Sequence, residues 1–455
     1  MQASSRRDFV LRGSAALAGT ALAAGPAIAR SQAGASDRIR VAVVGLGGRG
    51  RHSLYVALRQ LIRDKKENLE VAALSDCDRA RMNAAAGDCE KELGTRPALC
   101  QDFRKLLDDK SLDAVVFGTP NHWHALGTIW ACQARKDVYV EKPASHNIFE
   151  GRKMVEAARK YERIVQHGTQ CRSSPKIREG IELLKKGVIG RVYMARGVAF
   201  KLRAGGRNEI GPTPPEMNWD FWLGPAPLAP YNKLAVYRWR FLKDYGNGEI
   251  GDQGVHQLDI IRWGLGLDVQ PNRVQSMGGN FVHKDDEDTP TSQLFACHYL
   301  DRNLIVQFET RNWYTNSEAG MGTEYPFVDH QNVVGVIFLG MEGYMIIPDY
   351  SSYYVFFGLK RKPGPSSSVP GNPMMDLDHM ANWIAAVRSR KPGALNAEIE
   401  EGHLSSSLCH LANVAYRTGR TLVFDPKSER FSGDEEANRL LTRPYRAPYV
   451  VPQEV

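Results

Sequence analysis

Several things are missing from this chain, and each absence narrows what it can be. There is no CxxC pair and no Cys or His spacing of a zinc site, so neither a structural metal nor a dithiol redox centre is expected. There is no long block of Lys and Arg. The net charge of +8 is spread over 455 residues and owes part of its size to Arg6, Arg7 and Arg12, so charge patterning gives no reason to expect a nucleic-acid partner. No apolar run beyond the first thirty residues is long enough to cross a bilayer, and there is no internal repeat. Cysteine is scarce and odd in number: Cys77, Cys89, Cys100, Cys132, Cys171, Cys297 and Cys409 cannot all pair. They read mainly as buried thiols, with a disulfide left open. That is unusual for an oxidising compartment.

What is present begins with an address. Ser5-Arg6-Arg7-Asp8-Phe9-Val10 precedes an Ala-rich apolar stretch, Ala15 to Ile28, and Ala27-Ile28-Ala29 supplies small residues for cleavage. A charged start, a short apolar middle and a small-residue end make a secretory signal. Adjacent arginines followed by Asp-Phe resemble the twin-arginine type. Residues 1–29 are therefore expected to be a signal and 30–37 a linker, with the mature protein exported to the periplasm.

At Ile39 the pattern changes to a nucleotide-binding half, expected over 38–170. The run Ile39-Arg40-Val41-Ala42-Val43-Val44 reads as a buried parallel strand and leads into Gly45-Leu46-Gly47-Gly48-Arg49-Gly50 and a helical stretch, 51–63. Strand, GxGxxG and helix together are the dinucleotide fingerprint. Gly45 permits the tight turn, Gly47 lets a pyrophosphate approach the backbone, and Gly50 lets the helix pack against the strand. A second strand, Leu69 to Ser75, ends at Asp76, whose carboxylate suits the adenine-ribose hydroxyls and repels a 2′-phosphate. NAD is thus preferred and NADP remains possible, with Asp78 a competitor for the role. Further strands end at Thr119-Pro120-Asn121-His122-Trp123-His124 and at Glu141-Lys142-Pro143. His122 and His124 read as polar residues lining a cofactor cleft rather than as metal ligands.

These motifs, in this order at strand ends, resemble the glucose–fructose oxidoreductase / inositol dehydrogenase / rhizopine-catabolism (Gfo/Idh/MocA) family. The segment Gly248-Glu249-Ile250-Gly251-Asp252-Gln253-Gly254-Val255-His256 resembles its second signature, an Asp four residues before a His. The resemblance implies an α/β protein: a doubly wound parallel Rossmann sheet, then an α+β substrate domain over 171–425 with an open, mostly antiparallel sheet. It implies Lys142, Asp252 and His256 as catalytic residues. Cofactor contacts are expected from Gly45, Gly47, Arg49, Gly50, Asp76, Thr119, Asn121, His124, Glu141, Lys142 and Gln170. Substrate contacts are expected from Arg172, Trp222, Asp252 and His256, with Lys201 and Arg203 as weaker candidates. The residue chemistry agrees. Oxidising a secondary alcohol needs a proton acceptor, for which an imidazole is suited, and a positive charge beside the developing oxyanion. Asp252 and His256, four apart, would share one helix face.

The implied reaction is hydride transfer between NAD(P) and a hydroxyl or keto carbon of a sugar, cyclitol or glycoside. An exported member would hold its cofactor tightly and return it to its starting redox state. It could reduce a second sugar, or oxidise a glycoside transiently, eliminate the aglycone and re-reduce. A non-catalytic nucleotide- and sugar-binding module is the rival from another class, and the joint presence of Lys142, Asp252 and His256 argues against it. In the second half, strands are expected at 190–198, 291–300, 304–310 and 333–339. Helices are expected at 376–388 and 397–417, and a Ser-containing surface loop at 363–373. In this family the open sheet often forms a subunit interface, so a homo-oligomer is expected. Residues 426–455 read as an arm that either reaches a neighbour or lies on the surface.

Overall fold

The computed structural model describes residues 37–313, 333–368 and 374–455, so the expected signal lies outside the described residues. From Ile39 to Val455 the chain forms one compact unit. Its first sheet holds β1 (Ile39–Val44), β2 (Leu69–Ser75), β3 (Ala98–Cys100), β4 (Ala114–Phe117), β5 (Asp137–Val140) and β6 (Val165–His167). They run parallel in the order β3-β2-β1-β4-β5-β6. Helices cover both faces, which is why β1 and β4 read as unbroken apolar runs: Val41, Ala42, Val43, Val115 and Val116 are all buried. Each Val side chain so buried contributes about 1.5–3 kcal/mol. The order reverses between β1 and β4, where their carboxyl ends open a crevice, the usual ligand site of such sheets.

The second sheet contains β7 (Val192–Phe200), β8 (Arg273–Gly279), β9 (Ser292–Tyr299), β10 (Leu304–Arg311), β11 (Val333–Gly340), β12 (Gly343–Ile347), β13 (Ser352–Phe357), β14 (Lys362–Ser368), β15 (Leu422–Asp425) and β16 (Arg430–Phe431). Their order is β14-β13-β12-β11-β7-β10-β9-β8-β15-β16. β7 and β10 run parallel, and every other pairing among the described residues is antiparallel. In β9 and β10 burial alternates strictly, so one face packs inward. That face meets helices Pro175–Lys185, Val255–Leu265 and Ile399–Thr418 in a core that includes Ile181, Leu258, Phe308, Phe338 and Leu408.

Three features depart from the sequence-based expectation. The stretch 363–373, read as a loop from its Pro and Ser content, belongs as far as Ser368 to the edge strand β14. Edge strands tolerate Pro because one side of the ladder is unpaired. Residues 369–373 of that stretch lie outside the described residues. Helix Met375–Ser389, expected within the second half, packs on the first sheet. Leu377, Met380, Trp383 and Ile384 share a core with Val41, Val43 and Tyr139. The segment after residue 441 does not project from the chain: Tyr449, Val451 and Val455 are buried with Phe117, Trp123 and Phe221. All seven cysteines are free, five of them buried.

Candidate active site

The crevice between β1 and β4 is a cavity of about 530 Å³, within the range of small-molecule and cofactor sites. Gly45 to Arg49 line one end, with Ser75, Asp76 and Arg81. Thr119, Glu141, Lys142, Trp222, Tyr237, Trp239 and Arg240 are also in the lining. The glycine turn is built by close backbone contact. Gly45 has φ +85°, and a Cβ on it would stand 2.7 Å from the Thr119 nitrogen. A Cβ on Gly50 would overlap the Gly45 carbonyl oxygen, whereas one on Gly47 would meet only the Arg81 guanidinium at 3.4 Å. Gly47 therefore keeps its free side toward the cavity. The helix that follows opens with a π-turn, Gly50–Leu54, before Tyr55–Arg63.

Asp76 at the end of β2 accepts hydrogen bonds from the Leu46 and Asp78 nitrogens at 2.6 and 2.9 Å. Its carboxylate thus ties β2 to the glycine turn. Burial pushes the carboxyl above its ordinary value, with the Arg81 guanidinium pulling the other way. Asp78 is occupied elsewhere, capping helix Arg79–Leu93. Thr119 Oγ1 is buried without a partner among the described residues and borders the cavity. A Cβ-free turn, a carboxylate at the ribose end and an orphan hydroxyl fit a dinucleotide.

At the far end two distant stretches of chain meet. Lys142 follows β5, and its Nζ lies 2.8 Å from Asp252 Oδ1. It also donates to the Asp252 carbonyl. Arg240 Nε is 3.0 Å from the same Oδ1, and Arg203 is 3.4 Å from Oδ2. Burial alone would raise the Asp252 carboxyl, but the Lys142 and Arg240 cations overcome it and hold it well below the carboxylate range. Behind it Lys201 Nζ bonds Glu249 Oε1 and Gln253 Oε1, both at 2.7 Å. Asp252 sits not in regular helix but in a π-turn, Ile250–Gly254, that leads into helix Val255–Leu265 carrying His256. π-turns recur at functional sites. The His256 ring is 5.9 Å from the Tyr350 ring, and its Nδ1 is 3.9 Å from Cys171 Sγ. Burial, then the Lys142 charge, holds the imidazole well below its ordinary pKa. The ring therefore stays neutral as pH falls through about 6.5. We expect kcat/KM for alcohol oxidation to show no inflection there, with any acid limb displaced downward. A pH profile compared with that of H256N checks this.

Several residues expected at the ligand are held by other parts of the protein. His124 is fully buried, with its ring nitrogens against the Pro143 and Thr119 carbonyls, so it braces the turn that presents Lys142. Asn121 donates to Asn247, and Gln170 to Tyr139 and Glu141. His122 is bonded to the Trp222 carbonyl, and burial pushes it down to about 3. Arg49 borders the cavity, but its guanidinium is shared by Glu141 and Asp376. Trp222 borders the cavity with its ring stacked on Trp219 at 4.6 Å.

Arg172, expected to touch substrate, is buried in ion pairs with Asp259 and Glu401, each at 2.9 Å. Removing one member of such a pair strands the other, so R172M is expected to cost about 3–5 kcal/mol in urea unfolding. Arg240, Glu249 and Tyr350 were not among the expected site residues. Arg240 and Tyr350 come from stretches outside the quoted signatures, whereas Glu249 stands three residues before Asp252 inside one. Among the described residues no group of three or more His, Cys, Asp or Glu side chains could hold a metal.

Comparison with known proteins matches this architecture. The profile of the oxidoreductase family with an NAD-binding Rossmann fold covers residues 39–169, and that of its C-terminal alpha/beta domain covers 176–308 and 367–451. The chain belongs to the Gfo/Idh/MocA oxidoreductase family. Within it, the chain is 27% identical to levoglucosan dehydrogenase of Pseudarthrobacter phenanthrenivorans over 176 residues, which is 38% of each chain. It is 26% identical to myo-inositol 2-dehydrogenase of Thermotoga maritima over 398 residues, 85% of this chain and 99% of the other. A levoglucosan dehydrogenase structure in complex with NADH and levoglucosan superposes with a TM-score of 0.63 at 16% identity, covering 85% of this chain and 99% of that one. At that identity the likeness shows the fold. The family cofactor is NAD, and in this chain the glycine turn, Asp76 and Thr119 are the residues that would hold it.

Proposed function

We propose that this chain is an NAD-dependent dehydrogenase that interconverts a secondary alcohol and a ketone on a sugar, cyclitol or glycoside. The observation that carries the reading is the Lys142–Asp252 pair, 2.8 Å apart, at the end of the cavity that the glycine turn opens. Bound NAD would supply the hydride acceptor for oxidation and, once reduced, the hydride donor for the reverse reaction. Lys142 holds the reacting oxygen and offsets its negative charge as the O–H proton leaves. Neutral His256 takes that proton in oxidation and gives it back in reduction. Asp252 fixes the Lys142 ammonium and orients the substrate hydroxyl. Trp222 and Trp239 border the cavity and give it apolar surface for the C–H face of a sugar. Asp76 at the ribose end favours NAD over NADP.

The relatives named for levoglucosan and myo-inositol support a polyhydroxylated substrate. The leader-like first residues support export by the twin-arginine route, which fractionation of expressing cells tests. On the outer face of the second sheet, neighbouring apolar side chains Met277 and Leu294, with Ile305, stand exposed, which supports a homo-oligomer through that face. Light scattering of the pure protein checks that.

Denaturing the purified protein should release NAD or NADH, because an exported enzyme has little free dinucleotide to draw on. Incubation with sugars and with aryl glycosides, without added cofactor, then separates the outcomes. Spectral change of the bound cofactor without cleavage supports dehydrogenation, and aglycone release supports oxidation followed by elimination. A protein that neither binds NADH nor changes any sugar would overturn the reading.

A further inference from the structure

We infer that the substrate is acidic: a sugar or cyclitol bearing a carboxylate or a phosphate ester near the reacting carbinol, gripped by Arg240. The inference rests on the dehydrogenase reading above and narrows its substrate class. It starts from charge. Around Asp252 and Glu249, two carboxylates, stand four cationic side chains: Lys142, Lys201, Arg203 and Arg240. Including the neighbouring cluster of Arg49, Glu141 and Asp376 still leaves five cations against four anions among the described residues. Arg238 and Glu287 pair with each other and change nothing. A half-buried excess of positive charge is costly unless a ligand neutralises it. The oxidised nicotinamide, itself cationic, adds to the excess.

The phosphates of the dinucleotide belong at the other end of the cavity, on the glycine turn, where Arg51 and Arg81 are also found. They do not account for Arg240. That side chain borders the cavity, and among the described residues its guanidinium bonds only through Nε, to Asp252. Its plane lies over the Trp239 ring at 4.4 Å, which fixes its direction. The two terminal nitrogens remain for a ligand, and a guanidinium edge matches a carboxylate or phosphate in two-point contact. Arg203, itself held over the Phe241 ring at 5.2 Å, reaches Glu249 and Asp252 from the side and adds positive potential behind Arg240.

The test uses the full chain with NAD and three matched panels: neutral hexoses and cyclitols, the corresponding hexuronates, and hexose phosphates. NADH formation is expected to be at least about tenfold more efficient, as kcat/KM, on the uronate or the phosphate panel than on the neutral one. Whichever acidic panel leads identifies the group. Neutral sugars turned over as well as their acids would overturn the inference. Binding is read separately from turnover, as the thermal shift on adding each compound to the NADH complex. Stabilisation by an acid but not by its neutral parent supports the inference even where no NADH forms, a result that would count against the dehydrogenase reading alone. Equal shifts, or none, overturn it.

In R240Q the KM for the acid should rise about tenfold to a hundredfold while kcat changes far less, with R240K recovering part of the loss. A loss equal for acid and neutral compounds would assign Arg240 to structure instead.

Discussion

Replacing Lys142 by Met is expected to lower kcat/KM about a hundredfold to ten-thousandfold while leaving the fold and NADH affinity nearly unchanged. The span is that of deleting an oxyanion-stabilising donor or a proton-transfer group. The separation of effects follows from the surroundings. Lys142 is one of three cations on Asp252, so its loss leaves that carboxylate paired with Arg240 and Arg203. Met nearly matches the length of the lysine stem, which lies mostly inside the protein, its side chain 15% exposed. Unfolding midpoints and NADH fluorescence titrations should therefore resemble those of the parent while turnover collapses. If K142M still turned over at close to the parent rate, the assigned chemistry would be wrong, because no other ammonium among the described residues pairs with Asp252.

The glycine turn supplies a second large effect, and its two inner positions should separate. In G50A the added methyl collides with the Gly45 carbonyl, which is backbone and cannot swing aside. Gly118 presses on the same point, since a Cβ there would lie 2.7 Å from the Gly50 Cα. The turn must open, so the variant is expected to lose about 1–3 kcal/mol of stability and most of its NADH affinity. In G47A the methyl meets only the mobile end of Arg81, so unfolding should be unaffected. NADH binding should nonetheless weaken by at least about tenfold, because the methyl occupies the side on which the pyrophosphate must approach. Paired calorimetric melts and NADH titrations would read both. A G47A protein that binds NADH normally would show that the dinucleotide does not lie across this turn.

How much of this could be read before folding depended on range. β1, its glycine turn and the strand-end position of Lys142 are local patterns, and the structure has them at nearly the expected residues. The parallel first sheet follows from the same runs, because strands covered on both faces lose their alternation. The meeting of Lys142 with Asp252 spans 110 residues and could be anticipated only from family likeness. Likeness also misled. Arg172 was expected at the ligand from the family arrangement, yet its partner Asp259, 87 residues on, draws it inside. His124 stands near a strand end, but two backbone carbonyls claim its ring. Arg240 carried no signal, since an arginine between two aromatic residues looks like any surface position. β14 was hidden by Pro and Ser residues that an edge strand can tolerate.

Helix Met375–Ser389 has one last implication. Its Trp383 and Ile384 sit among Val41, Val43 and Tyr139, and its Asp376 clasps Arg49. Cutting the gene after residue 170 would strip that lid from the nucleotide half and bare an oily flank to water. Such a fragment should clump or melt at low temperature rather than survive alone, so the two halves have to be made, studied and engineered as a single piece.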